Sequence, residues 1–245
     1  MAAREARAVS TKRSARSGEH FRVRRCTPGG CSRAPFDSLN LGENCGDRAE
    51  AVAENRQRLR AGLPAAPCWL RQVHGTRVLH LDDWLPGIEA DAAWSDRPGQ
   101  VAAILTADCL PILLAADDGD CVAVIHAGWR GLAGGIVEAT VQTLPVRPER
   151  LHGWIGPRIS AARYPVGHEV FEAFAEHADA FQPLAPGRWL ADLPAIAIAR
   201  LERAGLGRIR DSGLCSHDDP RFFSVRRDCR NDGRTGRMAS LAWIR

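Results

Sequence analysis

Apolar positions cluster most densely in the middle of the chain, where residues 101–105, 110–115 and 121–125 are short, nearly continuous hydrophobic runs. Runs of this length bounded by turn residues, here Asp117-Asp118-Gly119-Asp120, read as buried strands. Beyond them Leu132, Ile136, Ala139 and Thr143 recur at helical spacing until Pro145 intervenes. A strand ending at Ile125 is therefore expected to feed a helix through the loop His126-Ala127-Gly128-Trp129-Arg130-Gly131. Upstream, residues 20–24 alternate like a strand, and Pro28-Gly29-Gly30 opens a loop that runs to Gly42. Asp47 with Glu50 has the form of a capping box before a helix over residues 51–60, which Gly62 stops. Two β-rich stretches follow, around residues 68–73 and 77–81. Downstream, Phe171, Phe174, Ala178 and Phe181 predict one apolar helical face, and Asp192 with Pro194 opens a last helix ending near Gly205. No internal repeat or linker divides the sequence. The predicted class is α+β: a mixed-sheet, layered α/β sandwich forming a single domain over residues 19–245.

Composition narrows the setting. The 245 residues are 45% hydrophobic and 25% charged, enough for a core that needs no crosslinks. No apolar run is long enough to cross a bilayer. Eight cysteines lie at irregular spacings with no signal-peptide stretch, which predicts reduced thiols and a cytoplasmic location. The net charge of +4 is mild, and Arg4, Arg7, Lys12, Arg13 and Arg16 crowd the start. Residues 1–18 are thus expected to be a disordered, solvated basic leader rather than a nucleic-acid site. Expected partners are small molecules, with no nucleic acid and no membrane.

Three segments set a metal-capable side chain beside turn residues: Gln72-Val73-His74-Gly75, Thr106-Ala107-Asp108-Cys109-Leu110-Pro111, and His126-Ala127-Gly128-Trp129-Arg130-Gly131. Cys109 interrupts two apolar runs and His126 leaves a third, so both can gather at one sheet edge. Two imidazoles and a thiolate suit zinc, and three protein ligands leave the fourth position to water or substrate. The plainer alternative is a core histidine, an inert buried thiol and a loop-capping histidine. Among the remaining polar residues, Asn40, Arg56, Arg130, Arg226, Arg227 and Arg234 stand in or near loops. Arg130 is the best placed to hold an anion, beside the start of a helix, whereas Asn40 equally suits a turn.

In the order in which they occur, Ser38-Leu39-Asn40-Leu41-Gly42, the three segments above, Ile155-Gly156-Pro157, Phe223-Ser224-Val225-Arg226-Arg227 and Thr235-Gly236-Arg237 resemble the laccase-domain family. That family is also called multicopper polyphenol oxidase or peptidoglycan editing factor, and its better-supported activity is purine nucleoside phosphorolysis. The resemblance implies that His74, Cys109 and His126 are zinc ligands and catalytic residues. Adenosine, inosine and methylthioadenosine, with phosphate, are the implied substrates; Asn40, Arg56 and Arg130 are candidates to bind them. Adenosine deamination by the same pocket is a further expectation. The alternative is a hydrolase with Cys109 as nucleophile, editing a cytoplasmic peptidoglycan precursor. Two positions depart from the family pattern: Thr27 stands where arginine is usual, and Pro165 where glutamate usually follows Tyr164. Copper suits the chain less well than zinc, because eight histidines without a His-x-His pair do not furnish clustered imidazoles for several ions.

Overall fold

The chain builds two sheets face to face and covers each outer face with helix. A computed structural model describes residues 19–23, 29–229 and 233–245; the leader expected at residues 1–18, and Thr27, lie outside them. In order come β1 (Glu19–Val23), α1 (Ala49–Arg60), β2 (Pro67–Trp69), β3 (Val78–His80), β4 (Ala92–Ser95), β5 (Val101–Thr106), β6 (Leu110–Ala116) and β7 (Val122–Ala127). Then follow α2 (Trp129–Ala133), α3 (Ile136–Thr143), β8 (Leu151–Ile155), β9 (Pro165–Val166), α4 (His168–Glu172), β10 (Phe181–Ala185) and β11 (Arg188–Ala191). The chain closes with α5 (Leu193–Arg203), β12 (Arg208–Asp211), α6 (Val225–Asp228) and β13 (Met238–Ile244).

The larger sheet has the order β12-β8-β6-β7-β4-β3 and the second β1-β13-β5-β2, each mixing parallel and antiparallel pairs; β10-β11-β9 form a small antiparallel sheet. Because side chains alternate along a strand, β6 is buried on both faces. Leu110, Ile112 and Leu114 meet Leu132, Ile136, Ile196 and Leu201 of the helical layer, while Leu113 and Ala115 meet Ala102, Ile104 and Ala242 of the second sheet. Leu59 of α1 packs with Val101, Ala103, Leu241 and Trp243 on that sheet's outer face. Each fully buried leucine or isoleucine contributes about 1.5–3 kcal/mol relative to exposure, so the paired interior is where the fold is held. The layers run helix, six strands, four strands, helix, which is the expected mixed-sheet sandwich in one domain. No helix among the described residues is long and apolar enough to cross a membrane.

Three local expectations are corrected. The capping box does not form: Arg48 is the N-cap of α1 and has no side-chain cap bond, because Asp47 is drawn away to accept from Ser32 and Asn40. The loop expected at residues 126–131 is mostly regular structure, since β7 runs through Ala127 and α2 starts at Trp129. The aromatic face over residues 171–181 is not one helix. Helix α4 stops after Glu172, Phe174 has φ −128°, and Phe181 starts β10. Helical spacing there reflects an aromatic cluster, with Phe171 and Phe181 meeting edge to face at 5.2 Å.

Candidate metal centre

Two of the three chemistry-bearing segments are the places where the chain crosses from the four-stranded to the six-stranded sheet. The connection from β2 to β3 carries His74, and the tight corner from β5 to β6 carries Asp108 and Cys109. Both crossings need unusual backbone: His74 (φ 60°) and Asp108 (φ 88°) are the non-glycine residues with positive φ among the described residues. His126 belongs to β7, where it pairs with Pro111, so the start of β6 delivers Cys109 beside it. Cys109 and His126 thus gather at one edge of the six-stranded sheet, although the two apolar runs that flank Cys109 lie in different sheets.

The ligand-capable atoms of His74, Cys109 and His126 all lie within 4.8 Å of one another. Cys109 Sγ is 3.8 Å from His74 Nε2, and the two imidazoles meet edge to face with centroids 4.7 Å apart. Exposure is graded, from His126 buried through Cys109 half-buried to His74 exposed, so the cluster opens to solvent on one side. Gly128 closes the other: a Cβ there would sit 2.6 Å from His74 Cδ2 and 3.2 Å from Cys109 Sγ. Glycine is required at this position by that close approach rather than by its φ of −70°.

Beneath the cluster lies Asp91, fully buried. Its carboxylate accepts from the backbone N–H groups of Val73, His74 and Gly75 and from His126 Nδ1. Burial opposes its charge, but the bonds from His126, Gly75 and Val73 hold its pKa below the usual carboxylate range. Burial likewise opposes charge on Cys109 and His126. Hydrogen bonds and the charges of His126 and His74 nevertheless lower the thiol to about 6, and Asp91 with Cys109 raises His126 to about 9. Both shifts favour the charged forms, thiolate and imidazolium, over the neutral pair.

Other candidates from the sequence lie differently. Asn40 is fully buried, and its side chain bonds Gly42, Asp47 and the backbone N–H of Arg237, organising a turn. Arg56 donates to Leu41 O, pairs with Glu43 and lies over Trp69. Arg130 remains largely exposed, stacked over Trp129 and 3.6 Å from Glu169; its helix is only five residues long, so the guanidinium itself is what it offers an anion. Arg226 lies over Tyr164 and donates to Pro165 O. Burial first, and then the Cys109 charge, push the Tyr164 phenol up to about 12. Arg227 is held by the carbonyls of Ser216, His217 and Phe222, and Arg234 lies over Phe36.

Residues 21–245 match the family described as multi-copper polyphenol oxidoreductase laccase. The chain belongs to that family. Among its relatives, a purine nucleoside phosphorylase of Xylella fastidiosa (strain 9a5c) is 50% identical over 234 residues, with 88% of each chain covered. One of Pseudomonas aeruginosa is 47% identical, covering 91% of this chain and 94% of its own. Purine nucleoside phosphorylase YfiH of Escherichia coli (strain K12) is 44% identical, covering 88% and 90%. Of solved structures, a Neisseria meningitidis protein superposes with a TM-score of 0.87 at 40% identity, covering 93% of this chain and 94% of its own. YlmD of Geobacillus stearothermophilus does so at 0.84 and 29%, covering 96% and 98%.

Within this laccase-domain chain the donors are gathered in one place. Among the described residues, His74, Cys109 and His126 are the one group of three or more such donors close enough to hold an ion. Such a group of three donors could hold a metal ion. Asp91 was not singled out in the sequence. Its only local signal is an acid at the head of the short apolar run Ala92-Ala93-Trp94.

Proposed function

We propose that the chain is a purine nucleoside phosphorylase that cleaves adenosine, inosine and methylthioadenosine with phosphate at a zinc centre of His74, Cys109 and His126. The observation that carries this reading is the His/Cys/His cluster, closed behind by Gly128 and open to solvent at His74, in a chain whose relatives bear the phosphorylase name over most of their length. Ligands of one tetrahedral zinc are about 3.5 Å apart, close to the 3.8 Å between Cys109 Sγ and His74 Nε2. A bound zinc supplies Lewis-acid charge at the cluster. The protein's own contribution is orientation and charge. In phosphorolysis a phosphate oxygen bonds to the sugar C1′ as the bond from C1′ to the purine nitrogen breaks, and the leaving base takes up a proton. Arg130, exposed beside the cluster's glycine wall, is assigned to the phosphate.

The deciding assay incubates adenosine or inosine with and without phosphate and follows free base, ribose 1-phosphate and inosine by chromatography. Phosphate-dependent base release, abolished in Cys109→Ala and His126→Ala, is the expected result; inosine formed from adenosine would add deamination. If the folded protein consumes no nucleoside, the reading fails. Arg130→Ala is expected to raise the KM for phosphate about tenfold or more, and an unchanged KM would remove Arg130 from that role.

One observation favours a second reading. The depressed Cys109 thiol beside a raised His126 is the arrangement of a cysteine nucleophile, which would suit a hydrolase editing a peptidoglycan precursor. Mass spectrometry of the metal-free protein incubated with such precursors should then reveal a covalent adduct on Cys109, and its absence during turnover would dismiss the hydrolase.

A further inference from the structure

We infer that Asp91 is a positioning residue that sets both imidazoles of the centre from below, so that one carboxylate fixes the geometry of two ligands carried by different parts of the chain. The inference rests on the reading of the triad as a metal centre, and Asp91 itself stands behind that centre rather than in it.

Four N–H donors converge on Asp91. Oδ1 accepts from His74 N at 2.9 Å and from His126 Nδ1 at 2.8 Å. Oδ2 accepts from Val73 N at 3.1 Å and Gly75 N at 2.7 Å. The three consecutive amides wrap the carboxylate as a backbone nest does an anion. They also hold His74 at its φ of 60°, a left-handed conformation that a non-glycine residue keeps only where its surroundings impose it. The fourth bond acts on the other ligand. With Asp91 accepting, His126 must carry its proton on Nδ1, which leaves Nε2 of the neutral ring as the nitrogen with a free lone pair. Strand register supplies the pairing: His126 N also donates to Asp91 O at 2.7 Å, so the two residues are cross-strand neighbours at the ends of β4 and β7.

The donor count dictates that the group be a carboxylate. An asparagine at position 91 has one oxygen and one amide nitrogen in the same space, and the site offers donors on both sides. With its NH2 toward Val73 and Gly75, two of the three nest amides lose their acceptor. With its NH2 toward His74 and His126, the imidazole must turn or change tautomer. Either way one ligand is released, although the substitution changes side-chain volume hardly at all.

The test is zinc binding by the full-length chain, measured by competition with a chromophoric chelator, for wild type, Cys109→Ala, Asp91→Asn and Asp228→Asn, each shown to be folded by circular dichroism. Stoichiometric zinc on the wild type, lost in Cys109→Ala, checks the metal reading separately. Asp228 is the control, a carboxylate that accepts from Ser224 N and Thr235 Oγ1 and bonds no member of the triad. Asp228→Asn is expected to lose thermal stability and keep wild-type affinity. Asp91→Asn is expected to bind zinc about 10–100-fold more weakly, and an affinity within about threefold of wild type would overturn the inference. Crystal structures of the metal-free proteins judge it even if the wild type binds no zinc. The 3.8 Å contact of Cys109 with His74 should persist in the wild type and be lost in Asp91→Asn, and its survival in the variant overturns the inference. Should Asp91→Asn fail to fold, hydrogen exchange on the wild type decides. The amides of Val73, His74 and Gly75 should be protected despite lying in an open connection, and rapid exchange at all three overturns the inference.

Discussion

Cys109 is the residue whose chemistry depends most on its neighbours. Its thiol is lowered to about 6 by His126 and His74 against the pull of burial, whereas a free cysteine titrates at about 8.5. Thiolate is therefore present above pH 6 and lost as pH falls through it. In zinc-free protein, alkylation of Cys109 by iodoacetamide, followed by peptide mass spectrometry, is expected to be half-maximal near that pH. His126→Ala should move the midpoint upward, and added zinc should suppress labelling. Gly128→Ala probes the wall behind the thiol. The backbone tolerates alanine there, but its Cβ would lie 2.6 Å from His74 Cδ2. Zinc affinity or turnover should fall about tenfold or more, while the thermal midpoint moves by only a few degrees; a chelator titration and a melt check both. The grouping of His74, Cys109 and His126 was legible in the sequence because each pairs a metal-capable side chain with turn residues. Asp91 was not, because its partner in β7 is 35 residues away and only strand register brings the two together.

At the scale of elements, the corner between β5 and β6 has its own latch. Asp108, itself at φ 88°, accepts from Ser216 Oγ at 2.6 Å and from Arg226 N at 2.8 Å. Asp108→Ala removes both bonds to the carboxylate at a position whose backbone is already left-handed, so it is expected to cost about 3–5 kcal/mol and lower Tm by roughly 10 °C. Asp108→Gly loses the bonds but not the backbone conformation and should be less damaging by about 1 kcal/mol; calorimetry on the two variants tests the ordering. The elements best read from sequence were those whose pattern is local: the three central strands, α1, and α5, where Asp192 caps the N–H of Ala195 as its spacing suggested. The small sheet of β9, β10 and β11 escaped because the aromatic residues near it repeat at helical spacing while packing as a cluster.

For the whole molecule, the last strand is structural rather than ornamental. β13 lies between β1 and β5, and Ala239, Leu241 and Ala242 are fully buried. A chain ending at Gly236 is expected to lose its cooperative thermal transition, as circular dichroism would register, because β5 would be left without one of its partners. The layered class was legible from the mixture of short apolar runs and helical periods; the partition of strands between two sheets was not, because consecutive runs such as β5 and β6 belong to different sheets and no local pattern marks the crossing. The reach of the latches has a consequence for synthesis. Asp108 waits for partners 108 and 118 residues onward, and Asn40 for one 197 residues onward. Translation delivers those partners late, so a nascent chain that already displays His74, Cys109 and His126 still lacks the contacts that lock the corner carrying Cys109.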